Sequence, residues 1–145
     1  RHATGYRVRN DWDVWNIWKR LNWGFDSEVT DMALVRCVTE MGMGVDVHGL
    51  DYTNAAKRAV FDAIHHSSLG FPRLIGKTAD DMHVEVTIGV PKPEAVDKKA
   101  VLETLPHGGG HINVVHGGLQ VLNEKGDDGW LIANAILVVS IDDGK

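Results

Sequence analysis

The chain has 145 residues, 43% hydrophobic and 24% charged, with 15 Lys and Arg against 20 Asp and Glu for a net charge of −5. That composition excludes a fully disordered chain, and the acidic balance argues against nucleic acid as a partner, because phosphate binding needs a basic surface. No apolar run approaches the roughly 18–20 residues that span a bilayer, and the single Cys37 makes neither an internal disulfide nor a Cys-rich metal site.

The chain opens with Arg1 rather than Met. This fits removal of a targeting peptide and an organellar location, mitochondrion or plastid, with the cytoplasm as the alternative. Residues 1–32 read as a Trp-rich N-terminal arm. Four of the five tryptophans lie here, at Trp12, Trp15, Trp18 and Trp23, and Trp12, Trp15 and Trp18, spaced by three and followed by Leu21, form one stripe on a short helix from Asp11, its N-cap, to a stop at Gly24. The stripe either joins the protein's own core or docks on another chain, since tryptophan is a frequent interface anchor.

Residues 33–145 read as a second unit. Ala33–Thr39 is a β-branched strand candidate that runs into a glycine-rich segment, Glu40-Met-Gly-Met-Gly-Val-Asp-Val-His-Gly49. A helix capped by Asp51 or Thr53 follows, with Ala55, Ala56, Ala59, Val60, Ala63 and Ile64 on its apolar face, and it ends near Ser67–Gly70. Val84, Val86, Ile88 and Val90 alternate as in a half-buried strand, which Pro91 and Pro93 break. Glu94–Leu105 reads as a second helix, and Ile112–Leu122 as a strand with a bulge at Gly117-Gly118. A turn over residues 124–129 leads to a last strand, Trp130–Ile141, apolar on both faces and so central or covered by another subunit. The order predicts an α+β two-layer sandwich, a mixed sheet with two helices on one face. Its helix-free face then needs cover, most simply from further copies in a trimer.

Asp46 and His48 are two residues apart at the exit of the first strand. On an extended chain they point the same way and can meet one divalent cation, Zn²⁺ or Mn²⁺. Gly42, Gly44 and Gly49 would let a ligand approach closely. A plain glycine-rich loop, in which Asp46 caps the next turn, is the competing reading. Cys37, in mid-strand with no activating neighbour, reads as an inert buried thiol.

These blocks resemble a known family. Residues 40–49 are similar to the metal motif R-I-G-x-G-x-D-x-H of methylerythritol cyclodiphosphate synthase. Ala59-Val-Phe-Asp-Ala-Ile64 resembles that enzyme's helix block H-A-L-x-D-A-L-L, and His83-Val-Glu-Val-Thr-Ile88 with Pro91-Lys92 resembles its N-V-D-V-T-I…P-K strand. Ile112-Asn-Val and Ala133–Ile141 match its last two strands in kind. A still closer likeness is to an uncharacterised bacterial and plant family marked by G-x-G-x-D-x-H-G. The synthase resemblance implies a trimer of sandwiches with intersubunit sites and a divalent metal on Asp46 and His48. The synthase's third metal ligand is a histidine where this chain has Arg58, which stays protonated and has no lone pair to give. Three outcomes are open: the metal is lost, another histidine such as His65 or His66 is recruited, or Arg58 and Lys57 receive a small anion. His107, His111 and His116 are further candidates, although edge polar residues describe them as well, and Glu85 and Lys92 read as an exposed face.

Two functions follow. One is an accessory or structural subunit of a larger assembly, a diverged enzyme fold fastened by its tryptophan arm to other protein subunits and to copies of itself. The alternative is a metal- or anion-dependent enzyme or small-molecule binder with an intersubunit site at Asp46 and His48.

Overall fold

The computed structural model describes residues 34–66 and 69–142. The tryptophan arm therefore lies outside the described residues. The described chain is α+β, with a five-stranded mixed sheet. Its elements are β1 (Leu34–Asp46), α1 (Tyr52–Ile64), the single turn α2 (Phe71–Leu74), β2 (Met82–Val90), α3 (Lys98–Leu102), β3 (Gly109–His116), β4 (Leu119–Leu122) and β5 (Gly129–Asp142).

β5 is central. It pairs antiparallel with β1 along one edge, and along its other edge with β2 and then with β4, while β3 lies parallel to β2 on the far side. Its alternation is resolved by the layers. Leu131, Ala133, Ala135, Leu137, Val139 and Ile141 are buried, whereas Ile132, Asn134, Ile136 and Val138 face the other way and are half-buried or exposed. β2 follows the same rule, with Met82, Val84, Val86, Ile88 and Val90 on the buried side. These residues form one core with Ala55, Ala56, Ala59, Val60 and Ala63 of α1 and Val101 of α3.

Four elements differ from expectation. β1 does not stop at Thr39; it continues through the glycine-rich segment to Asp46, because helix α1 packs on those glycines. The second helix shrinks to five residues. Asp97 caps it by accepting from Ala100 N at 3.1 Å, and a 3₁₀ turn at Pro93–Ala95 takes up the residues before it. The expected bulge in residues 112–122 is a change of partner. Gly117 N donates to Val90 O at 3.0 Å, Gly118 sits at φ 66° against Ile132 O and Gly89 O, and the chain steps from the flank of β2 to the flank of β5. No side chain fits at Gly118, since a Cβ would strike the Ile132 carbonyl. Finally, Cys37 is exposed rather than buried. The β1–β5 register slips between Arg36 and Val38, which leaves Cys37 unpaired with β5.

The turn into β5 is built by Asn123. Its Oδ1 accepts from Gly126 N and Asp127 N at 2.7 and 3.2 Å, and its Nδ2 donates to Asp127 Oδ1 at 2.7 Å. This delivers Asp128 to the end of the sheet where β1 meets α1.

Candidate functional site

Helix α1 is seated on β1 by matched small residues. A Cβ at Gly42 would collide with the backbone of Ala59 and Ala63, and one at Gly44 with the backbone of Ala55 and Ala59. The helix backbone thus fills the space above both glycines. This close approach lets short side-chain reaches tie the helix to the strand.

At the end of β1, Asp46 is 5% exposed and points at the N-terminus of α1. Its Oδ2 accepts from Asp51 N at 3.0 Å, while its Oδ1 accepts from Asn54 Nδ2 at 3.4 Å and Arg58 Nη1 at 3.3 Å. Asp51 caps the helix in turn, accepting from Asn54 N at 2.9 Å. A carboxylate at a helix N-terminus is favoured by the dipole as well as by these donors.

The same Arg58 nitrogen donates to Val45 O, and one turn later Asp62 Oδ2 accepts from Met43 N at 2.9 Å. β1 is an edge among the described strands, so Arg58 and Asp62 occupy backbone groups that would otherwise be open to another strand. The Met43 N–H is the main reason that the Asp62 carboxyl lies below its ordinary range, with smaller help from His66.

His48 goes elsewhere. Its side chain is 85% exposed, and Nδ1 lies 3.1 Å from Asp128 Oδ2. Asp128 Oδ1 accepts from Gly49 N and Gly129 N, both at 2.8 Å. Gly49 and Leu50 both have positive φ, 87° and 53°, so Asp128 holds a turn that bends back into the α1 cap. These bonds, the Gly49 N–H first, then His48 and Gly129, lower the Asp128 carboxyl from 3.8 to about 2. A depressed folded-state pKa contributes stability that is fully present above pH 3.8 and is lost as pH falls through about 2. The loop clasp is therefore expected to persist through pH 4 and open only in strong acid, with Asp128→Asn removing this part of the acid transition. NMR titration of the Asp128 carboxyl measures it.

Among the residues expected to form one site, the structure brings Asp46 and Arg58 together and gives His48 a different partner. His65 stacks on Phe61, with ring centroids 3.9 Å apart, and its Nδ1 lies 2.6 Å from Phe61 O, while His66 pairs with Asp62 at 3.3 Å. His107 lies 3.5 Å from Asp80. Among the described residues no group of three or more His, Cys, Asp or Glu could hold a metal ion. A divalent cation does not fit Asp46 as it stands, since a guanidinium and two neutral donors already surround the carboxylate. Asp128 was not singled out from sequence. It is eighty residues from His48, and its only local signal is the Asp-Asp-Gly turn.

The fold and this corner define a class: an α+β unit with one sheet, whose helix is fastened to an edge strand by an internal Asp–Arg pair. The chain belongs to the conserved hypothetical protein family Lin0512_fam, which matches residues 36–139. It is also similar to a crystal structure of an FtsZ-like protein of unknown function from Nostoc punctiforme, with 41% identity over 77% of this chain and 98% of that one and a TM-score of 0.69. No curated protein matches the chain.

Proposed function

We propose that the chain is an accessory or structural subunit of a larger assembly. In this reading it associates with copies of itself, most simply as a trimer, through the sheet face that bears no helix among the described residues, and residues 1–32 dock it on another protein through their tryptophans. The supporting observation is that face. Met41 lies opposite Ile136, Val45 and Leu119 flank Ile132, and Val121 lies opposite Trp130, which makes one apolar surface across β1, β5 and β4. Met41 is 62% and Trp130 61% exposed. Contiguous apolar surface of this kind marks an interaction site more often than bare solvent surface. The likeness of residues 40–49 and 83–92 to the cyclodiphosphate synthase supports a trimer, while Arg58 against Asp46 supports loss of the enzyme's metal chemistry.

The test is the solution mass. The full chain is expected to run as an oligomer by light scattering, and Ile136→Glu, at the centre of the face, to shift it to monomer with unchanged circular dichroism. A monomeric native chain, or an Ile136→Glu variant of native mass, overturns the reading. Addition of Zn²⁺ or Mn²⁺ is expected to leave the melting temperature unchanged.

The enzyme or binder alternative keeps one observation in its favour. An imidazole oriented through Nδ1 by a carboxylate has Nε2 available for proton transfer. If His48 serves such chemistry, His48→Ala abolishes turnover or ligand binding and leaves the oligomer intact.

A further inference from the structure

Helix α1 settles so closely on the C-terminal half of β1 that no Cβ fits at Gly42 or Gly44. The neighbouring part of the sheet is not closed in this way. α1 ends at Ile64 and α3 has only five residues, and beyond them the core side of β2 and β5 floors a cavity of about 350 Å³. The floor residues Met82, Val84, Leu137 and Val139 are buried, with Ile64 and Leu105 at the walls. Pro106 and His107 are exposed, so the cavity opens to solvent beside them. Protein interiors hold few voids larger than a water molecule, and this one has the volume of a small-molecule site.

The lining decides what can fill it. Two of the lining side chains are polar, Glu40 and His107, and both are engaged within the chain. His107 lies 3.5 Å from Asp80, which is not part of the lining. The remaining side chains offer hydrocarbon and one thioether, so a charged ligand would lose its hydration over this floor without gaining a counter-group. Water is a poor occupant of the floor for a related reason, since a buried water needs about three polar partners. A neutral apolar body meets neither cost.

We propose that this cavity binds a small neutral hydrophobic compound, an aryl or alkyl body held by apolar contact with Met82, Val84, Leu137 and Val139. The site is separate from the Asp46 corner and from the open sheet face, so it stands whether or not the assembly reading does.

Three probes built on one ring decide it: toluene, benzylamine and benzoate, titrated into the full-length chain and followed by amide NMR. Toluene is expected to shift the amides of Val84, Leu105 and Leu137 saturably and to bind at least tenfold more tightly than either charged probe. Ala79→Phe, on a half-buried 3₁₀ turn at the cavity wall, is expected to weaken toluene at least tenfold with unchanged circular dichroism. Ile136→Glu, on the open sheet face, is expected to leave toluene binding unchanged, which separates the cavity from the other apolar surface. The proposal is overturned by absence of saturable shifts at these amides in the native chain, by a charged probe binding as well as toluene, by full binding in a folded Ala79→Phe variant, or by loss of binding in Ile136→Glu.

Discussion

Gly44→Val is expected to be the most damaging single substitution in the described chain. Gly44 is buried, and any Cβ there meets the Ala55 carbonyl and the Ala59 amide of α1, which are backbone atoms and cannot swing aside. The helix would have to lift off the strand. Overpacking usually costs about 1–3 kcal/mol, and a collision with helix backbone belongs at or above the upper end of that range. The lift also removes the ties of Arg58 to Val45 and Asp46 and of Asp62 to Met43. Denaturant unfolding should show a large fall in midpoint. Gly109→Ala is the control, because nothing lies within 4 Å of a Cβ there, and it should change stability by less than about 0.5 kcal/mol. Equal effects at the two positions would show that the strand–helix contact is looser than the geometry implies.

Arg58→Ala should have the next largest effect. It leaves the buried Asp46 carboxylate with Asp51 N and Asn54 alone and frees the Val45 carbonyl on the strand edge. Breaking a fully buried ion pair costs roughly 3–5 kcal/mol, and because the Arg58 side chain is half exposed the expected loss is smaller, about 2 kcal/mol. Arg58→Lys should recover only part of it, since the single nitrogen Nη1 that meets both the Val45 carbonyl and Asp46 is replaced by a more strongly hydrated ammonium on a flexible stem. A double-mutant cycle with Asp46→Ala should give a coupling of about 1 kcal/mol or more. A near-zero coupling would mean that Arg58 acts only through Val45.

Much of the architecture could be read directly from local pattern. The alternation in residues 82–90, the alanine face of residues 55–63 and the Asp51 cap are short-range signals, and each element formed where its pattern lies. The two-faced apolar run of residues 130–141 left a central strand or one covered by another subunit as its two readings, and the sheet order shows that the strand is central.

Other features depended on contacts between distant segments. Gly42 and Gly44 read as ligand-approach glycines because the sequence does not say that a helix backbone comes to rest on them. Asp46 and His48 read as partners because spacing by two implies one direction on an extended chain. The strand ends at Asp46, however, and Gly49 and Leu50 turn the backbone to positive φ, so that His48 reaches Asp128 while Asp46 meets Arg58.

Composition and periodicity by themselves determined the class of fold and which faces of the strands are apolar, because these follow from where apolar side chains can be hidden within a few residues of one another. The tertiary structure alone decided the partners of Asp46, His48 and Arg58, the exposure of Cys37 and the cavity beside Glu40. Each of these depends on how closely α1 settles on β1 and on where a five-residue α3 stops, and those distances are set by packing between segments that no local pattern relates.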